Sequence, residues 1–183
     1  TEEKMLLADF TKVKLQSFLP KIDSLGMEGS LSGHLDFVQK GGDYTPEGVL
    51  TVKDFEVNDF KQGDLSIDVK GKNSYKKYEV AVAIENEDAK SISAKGILDF
   101  SSERPIIDLN VFLEDFKLEA FSPLGKNVLS SLRGTATGDF TLRGFLGNPD
   151  MEGELRLKKA GLKFPYLNVD YDFEGESVIT LIQ

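Results

Sequence analysis

The sequence predicts an all-β protein, an elongated and curved sheet, mostly antiparallel and open, with short helical crossing segments. Three observations carry that expectation. Apolar and polar residues alternate along most of the chain, as in strands with one apolar face. Clusters of Gly, Asn, Asp, Ser and Pro interrupt the alternation roughly every 8 to 15 residues, too closely for the helical crossovers of a parallel sheet. And a block of sequence occurs twice.

The repeat runs in order. Leu15, Phe18 and Pro20 return as Leu118, Phe121 and Pro123, shifted by 103 residues. Gly29, Leu31, Gly33, Leu35 and Phe37 return as Gly134, Ala136, Gly138, Phe140 and Leu142, shifted by 105. Pro46, Gly48, Leu50 and Val52 then correspond to Pro149, Gly153, Leu155 and Leu157. Recurrence of strands with their glycines and prolines implies units that stack. The expected division is residues 1–115 for the first unit and 116–183 for a second, truncated one.

Each opening segment departs from alternation. Around residues 15–25 and 118–132 the pattern reads as short helical crossings. In the second, Leu118, Phe121, Leu124, Val128 and Leu132 fall three and four apart, with Pro123 suited to a first helical turn. Strands follow at Leu65–Val69, Tyr78–Ile84, Ile92–Phe100 and, after a break at Pro105, Ile107–Leu113. The second unit supplies Ala136–Leu142, Leu155–Leu157 and Val169–Phe173, then a last strand at 178–182 cut by the chain end. Lys40–Asp43, Gly71–Ser74, Glu85–Asp88 and Gly147–Asp150 are the turns. Gly33 and Gly138 lie inside strand patterns, where glycine costs stability; matched recurrence points to sharp bending or a crossing segment at both.

Composition narrows the function. The 183 residues suffice to bury a core, and the hydrophobic (40%) and charged (29%) fractions are those of a folded, soluble chain. A net charge of −9 argues against nucleic acid and against adhesion to an anionic membrane surface. No cysteine is present, which excludes disulfides and thiol chemistry and disfavours a zinc cluster. No run of eighteen apolar residues occurs. A start at Thr1, without initiator Met or secretion signal, gives the expectation of a processed or excised piece.

No catalytic constellation emerges. His34 is the single histidine, sits on the polar side of its strand, and has Asp139 as its repeat counterpart. With no cysteine, neither a conventional triad nor a thiol nucleophile can be assembled. The carboxylates Asp170, Asp172, Glu174 and Glu176 read as the outward half of a strand. Asp54–Asp64 and Glu85–Asp88 lack the ordered ligand spacing of a calcium loop. Gly134, Gly138 and Gly144 lack the lysine ending of a phosphate loop. No enzyme activity, cofactor or metal is expected.

What remains is the apolar face. Leu65, Ile67, Val69, Val80, Val82, Ile84, Leu98, Phe100, Leu109, Val111, Phe140, Leu142, Leu155 and Leu157 are its expected lining. It reads either as the dry core of a sandwich or, on a sheet that never closes, as a groove that must bind apolar matter or aggregate.

The stretch Leu132–Gly144, with Gly134, Gly138 and Phe140 inside it, followed by Pro149, Gly153, Leu155 and Leu157, resembles the TamB family, grouped with AsmA-like proteins. Phe164–Tyr171 resembles the phrase that follows that repeat. The likeness covers residues 118–176, and a degenerate first copy extends it to residue 13. Lys40–Asp43 departs from the simple glycine of the family pattern. The resemblance implies a β-taco, a long sheet curved around an apolar interior, within a periplasmic body anchored in the inner membrane by a helix not in this chain. It further implies phospholipid acyl chains as cargo between inner and outer membranes and an Omp85-class outer-membrane partner. The alternative it carries is a chaperone or scaffold for outer-membrane protein assembly, acting by strand pairing with clients.

Overall fold

The computed structural model describes residues 4–17, 26–40, 43–72, 76–86, 89–125 and 130–182. Their strands are β1 (Lys4–Lys14), β2 (Met27–Lys40), β3 (Asp43–Val57), β4 (Phe60–Gly71), β5 (Lys77–Asn86) and β6 (Ala89–Asp99). β7 (Ile106–Lys117), β8 (Ser130–Phe145), β9 (Asn148–Phe164), β10 (Val169–Asp172) and β11 (Glu176–Leu181) complete the set. They form one antiparallel sheet in chain order, the arrangement that short turns permit. The sheet is open and does not close into a barrel. It runs unbroken through residue 115, which lies inside β7.

Only the last strands break the simple order. β10 pairs with Gly161–Phe164 of β9, and β11 pairs with Gly153–Lys158 of the same strand. Together they act as one strand interrupted at Phe173–Gly175, with Gly175 at φ +67°. β1 and the β10/β11 strand are the two edges of the sheet among the described residues.

A line of bulges crosses the sheet, and it repeats. In β1 the register slips between Phe10 and Val13, where Lys12 is left-handed at φ +51° and donates its N–H to Ser32 Oγ at 3.0 Å. In β7 it slips between Leu113 and Phe116, where Asp115 has φ +43° and donates its N–H to Thr137 Oγ1 at 2.9 Å. Every partner in the second set stands at the repeat position of the first. Asp54 of β3 and Lys159 of β9, again repeat counterparts, have φ +51° and +48°. A bulge adds an unpaired residue, bends its strand and raises the twist. In both copies the bulges lie toward the end that carries the crossing turns, and they bend the sheet there into a crease.

Two of the strand glycines show why the sheet needs them. Gly33 has φ +136°, and a Cβ there would lie 2.1 Å from the Val49 carbonyl oxygen. Gly138 has φ +151°, and its Cβ would lie 2.2 Å from the Glu154 carbonyl oxygen. Neighbouring strands approach too closely at both points for any side chain.

The crossing segments are shorter than the spacing predicts. The first is a 3-10 turn at Leu15–Ser17; the rest of the expected segment, residues 18–25, lies outside the described residues. The second is a 3-10 turn at Glu119–Gly125, not a helix to residue 132, because β8 is already under way at Ser130. Pro123 sits inside this turn, where it lacks an N–H and disfavours a longer α-helix. Val128 lies outside the described residues.

The crossing turns close the creased end of the sheet. Leu15 and Ala120 (0% exposed) pack with Leu31, Val52 (0%), Phe55, Val57, Leu65 and Ile84. Ala94, Val111, Leu113, Phe116, Ala136, Leu157 and Ala160 form a second cluster. Phe121 touches both, with its ring 5.4 Å from that of Phe116. Polar contacts fix the second turn. Leu118 N–H donates to the Gly134 carbonyl at 3.1 Å, and Gly134 N–H donates to Glu119 Oε1 at 3.2 Å. Asn58, in the β3–β4 turn at φ +50°, exchanges two hydrogen bonds of 2.8 Å with the backbone of Gly26 and donates from Nδ2 to the Ala120 carbonyl at 2.7 Å.

Candidate apolar groove

In an antiparallel pair, residues directly opposite each other share a face. The pairing therefore sorts the apolar residues into rungs running across the sheet. Nearest the crease runs Leu31–Val52–Leu65–Ile84–Ile92–Leu113–Gly138–Leu155–Ile179. The next is Phe10–Gly33–Leu50–Ile67–Val82–Ala94–Val111–Phe140–Gly153–Leu181. A third is Leu35–Gly48–Val69–Val80–Gly96–Leu109–Leu142–Met151. The fourth, at the far end of the strands, holds Tyr78–Leu98–Ile107–Gly144–Pro149.

Twelve of the fourteen residues expected to line a groove stand in these rungs. Leu157 continues the same face one step beyond Leu155, paired with Ala136 and buried in the second core cluster. Phe100 lies beyond the end of β6, exposed, its ring edge-on to Tyr78 at 5.8 Å. Val80 and Ile107 are buried in the outer rungs; Ile107 opens the strand expected after Pro105 but is not among the expected lining. The alternation around Pro105 contained that signal.

Burial is densest beside the crease. In the first rung Leu31, Val52, Leu65, Ile84 and Leu113 are buried, and Ile92 and Leu155 half-buried. In the second and third, Ala94, Val111 and Val80 are buried, while Leu50, Ile67, Val82, Phe140, Leu35, Val69, Leu109 and Leu142 are half-buried. The end opposite the crossing turns is rimmed by exposed apolar groups: Leu6 (65%), Phe100, Ile106, Phe145 and Leu146. The Arg104 guanidinium lies 3.6 Å over the Phe145 ring, a contact suited to an amphipathic border. The trough is covered along the crease and carries a mixture of buried and half-buried apolar side chains above it.

The opposite face is polar. Across it runs Asp36–Glu47–Lys70–Glu79–Ile97–Asp108–Arg143–Asp150, with Lys70 Nζ 3.3 Å from Glu47 and Arg143 Nε 3.1 Å from Asp108. A depression of about 580 Å³ opens on this face, lined by His34, Val49, Asp68, Lys70, Ala81, Lys95 and Ile97 among others. His34 is exposed there. Beside the crease, the Lys53 ammonium hydrogen-bonded to Asp64 holds its carboxyl below the ordinary carboxylate range. Among the described residues, no group of three or more His, Asp or Glu is placed to hold a metal.

Fold and face together define a class: an open antiparallel half-pipe with one apolar and one charged surface, built from a repeated unit. In comparisons with protein-family models, curated proteins and solved structures, nothing matches this chain.

Proposed function

We propose that the apolar trough shields lipid acyl chains, and that the chain serves as a section of a lipid path between membranes of the kind found in TamB-like periplasmic proteins. The observation that supports this reading is the set of half-exposed apolar side chains in the rungs above the crease. A sandwich core would bury Leu50, Ile67, Val82, Leu109 and Leu142 beneath a second layer. The crossing turns instead cover the crease and leave those side chains half-exposed.

The energetics suit such a role. Exposing a sixteen-carbon acyl chain to water costs roughly 13 kcal/mol at about 0.8 kcal/mol per methylene. Rungs of Leu, Val, Ile and Phe at every strand offset most of that cost without one deep pocket to trap the chain. The charged face and the Arg104–Phe145 border keep a headgroup in contact with water.

The test is lipid retention. Extracted and analysed by mass spectrometry, the purified protein should carry phospholipid, and Val82→Glu or Leu109→Glu should remove most of it while the β circular-dichroism spectrum persists. Equal lipid in both variants and wild type would sink the reading. A second reading is favoured by the exposed β11 edge, with Val178 and Ile179 on it: pairing with a client strand during outer-membrane protein assembly. A crosslinker at Val178 would then trap polypeptide in place of lipid.

A further inference from the structure

The second crossing turn is a short, weakly bonded cover over the first apolar rung. After β7 ends at Lys117, Glu119–Gly125 reaches back over strands of the first copy. Ala120, fully buried, joins the cluster that holds Leu31, Val52, Leu65 and Ile84 of that rung, and Phe121 packs against both core clusters. The segment is a 3-10 turn containing Pro123, with no α-helical ladder to stiffen it. On the β8 side, Leu118 N–H donates to the Gly134 carbonyl at 3.1 Å and Ser122 Oγ to the Leu132 carbonyl at 3.4 Å. On the first-copy side, Asn58 donates to the Ala120 carbonyl at 2.7 Å. Glu119 adds a cost to closure. Its Oε1 accepts the Gly134 N–H at 3.2 Å, but its Oε2 is buried with no hydrogen-bond partner, the one such side-chain atom among the described residues. An acceptor shut away unpaired favours any state that returns it to water. The repeat does not call for this acid: the counterpart of Glu119 in the first crossing turn is Gln16, which is exposed.

We infer that the second crossing turn is a strap, which lifts off the crease while the sheet stays folded and so bares the first apolar rung. Opening joins Val52, Leu65 and Ile84 to the half-exposed Leu50, Ile67 and Val82 beside them, and the trough deepens by one rung. Opposing terms set the balance. Closure buries Ala120 and Phe121 and makes the bond from Asn58; opening hydrates Glu119 Oε2. Each term sits on a different residue, so the population of the open state can be moved in either direction by single substitutions. The device belongs to the fold and does not rest on the lipid reading, because opening is measured on the protein alone.

Because the chain has no cysteine, one introduced thiol reports the opening. Val52 is 0% exposed in the cluster that Ala120 joins, and Val52→Cys nearly conserves its volume. A water-soluble maleimide should label this thiol in the folded protein. The labelling rate should rise far less steeply with urea than global unfolding does, since lifting a turn exposes little surface. On the Val52→Cys background, Asn58→Ala should speed labelling about tenfold by removing the first-copy anchor. Glu119→Gln installs the first copy's residue, removes the buried charge, and should slow labelling about tenfold. Should Val52→Cys not fold, Leu65→Cys in the same rung takes its place with the same expected ordering. The strap is overturned by labelling whose urea dependence matches that of global unfolding. It is overturned equally by a Glu119→Gln variant that labels as fast as its parent or faster, or by an Asn58→Ala variant that labels no faster.

Discussion

Lys12 in β1 and Asp115 in β7 occupy one place in the two copies, and so do Asp54 in β3 and Lys159 in β9. Their backbones agree closely, all four left-handed with φ between +43° and +51°. Their charges are opposite at both places. Ser32 and Thr137, which accept the N–H at the first place, keep the hydroxyl and exchange the rest. What recurs between the copies is therefore a backbone bend and the oxygen that satisfies it, with no recurring charge. The contrast extends to the turns that follow β3 and β9. Asn58 and Asn168 both sit at φ +50°, yet Asn58 bonds to Gly26 and Ala120 while the bond formed by the Asn168 backbone N–H stays local, to Pro165 at 3.2 Å. The first copy carries the joint that holds the second crossing turn in place.

The comparison can be broken hardest at the matched glycines. Gly33→Val and Gly138→Val each force a side chain into a facing carbonyl and into a conformation hostile to branched residues. Each should cost roughly 3 to 5 kcal/mol, or prevent folding, as read by urea denaturation. A variant within about 1 kcal/mol of wild type at either site would show that the two copies do not share this bend.

A smaller effect separates the two asparagines. Asn58→Ala removes two side-chain hydrogen bonds and leaves the Ala120 carbonyl unpaired, for an expected loss of about 2 to 3 kcal/mol. Asn168→Ala should cost about 1 kcal/mol, chiefly for placing alanine in a left-handed conformation. Equal losses in thermal melts would remove the distinction drawn between the copies.

The smallest effect sharpens the argument about charge. Lys12→Asp and Asp115→Lys should each lie within about 0.5 kcal/mol of wild type, as surface changes that leave the bend in place. Thr137→Ala should cost about 1 kcal/mol by stranding the Asp115 N–H. A charge reversal that costs more than the hydroxyl deletion would make the ion atmosphere, not the backbone, the recurring element.

Much of this was legible in the sequence. Alternation located most strands, because a side chain on a strand has only two faces to choose between, but not β1, whose residues Lys4–Lys14 do not alternate cleanly. The shift of 103 residues, widening to 105 after the crossing segment, matched the structure down to the residue at which the register slips. The bulges themselves were not legible, since lysine and aspartate carry no mark of a left-handed conformation. The helical spacing of Leu118, Phe121 and Leu124 misled for a physical reason: a short turn that inserts Ala120 and Phe121 into a core shows the same local spacing as a helix. Of the fourteen apolar residues expected to line a groove, all but Phe100, which lies beyond the end of β6, could be assigned to one face from the sequence. Which of them are buried and which stay half-exposed could not, because that depends on which segment lies over them.

By itself, then, the sequence determined the strand content, the chain-order antiparallel sheet, the apolar face and the positions where only glycine fits. These follow from local rules, the two-residue period of a strand and the sterics of a single residue. Tertiary structure alone decided where the sheet creases, that β10 and β11 share β9, and that the crossing turns close one end and leave the other open. Those depend on contacts between residues far apart in the chain, as in the 62-residue reach from Asn58 to Ala120, for which no local pattern carries the information.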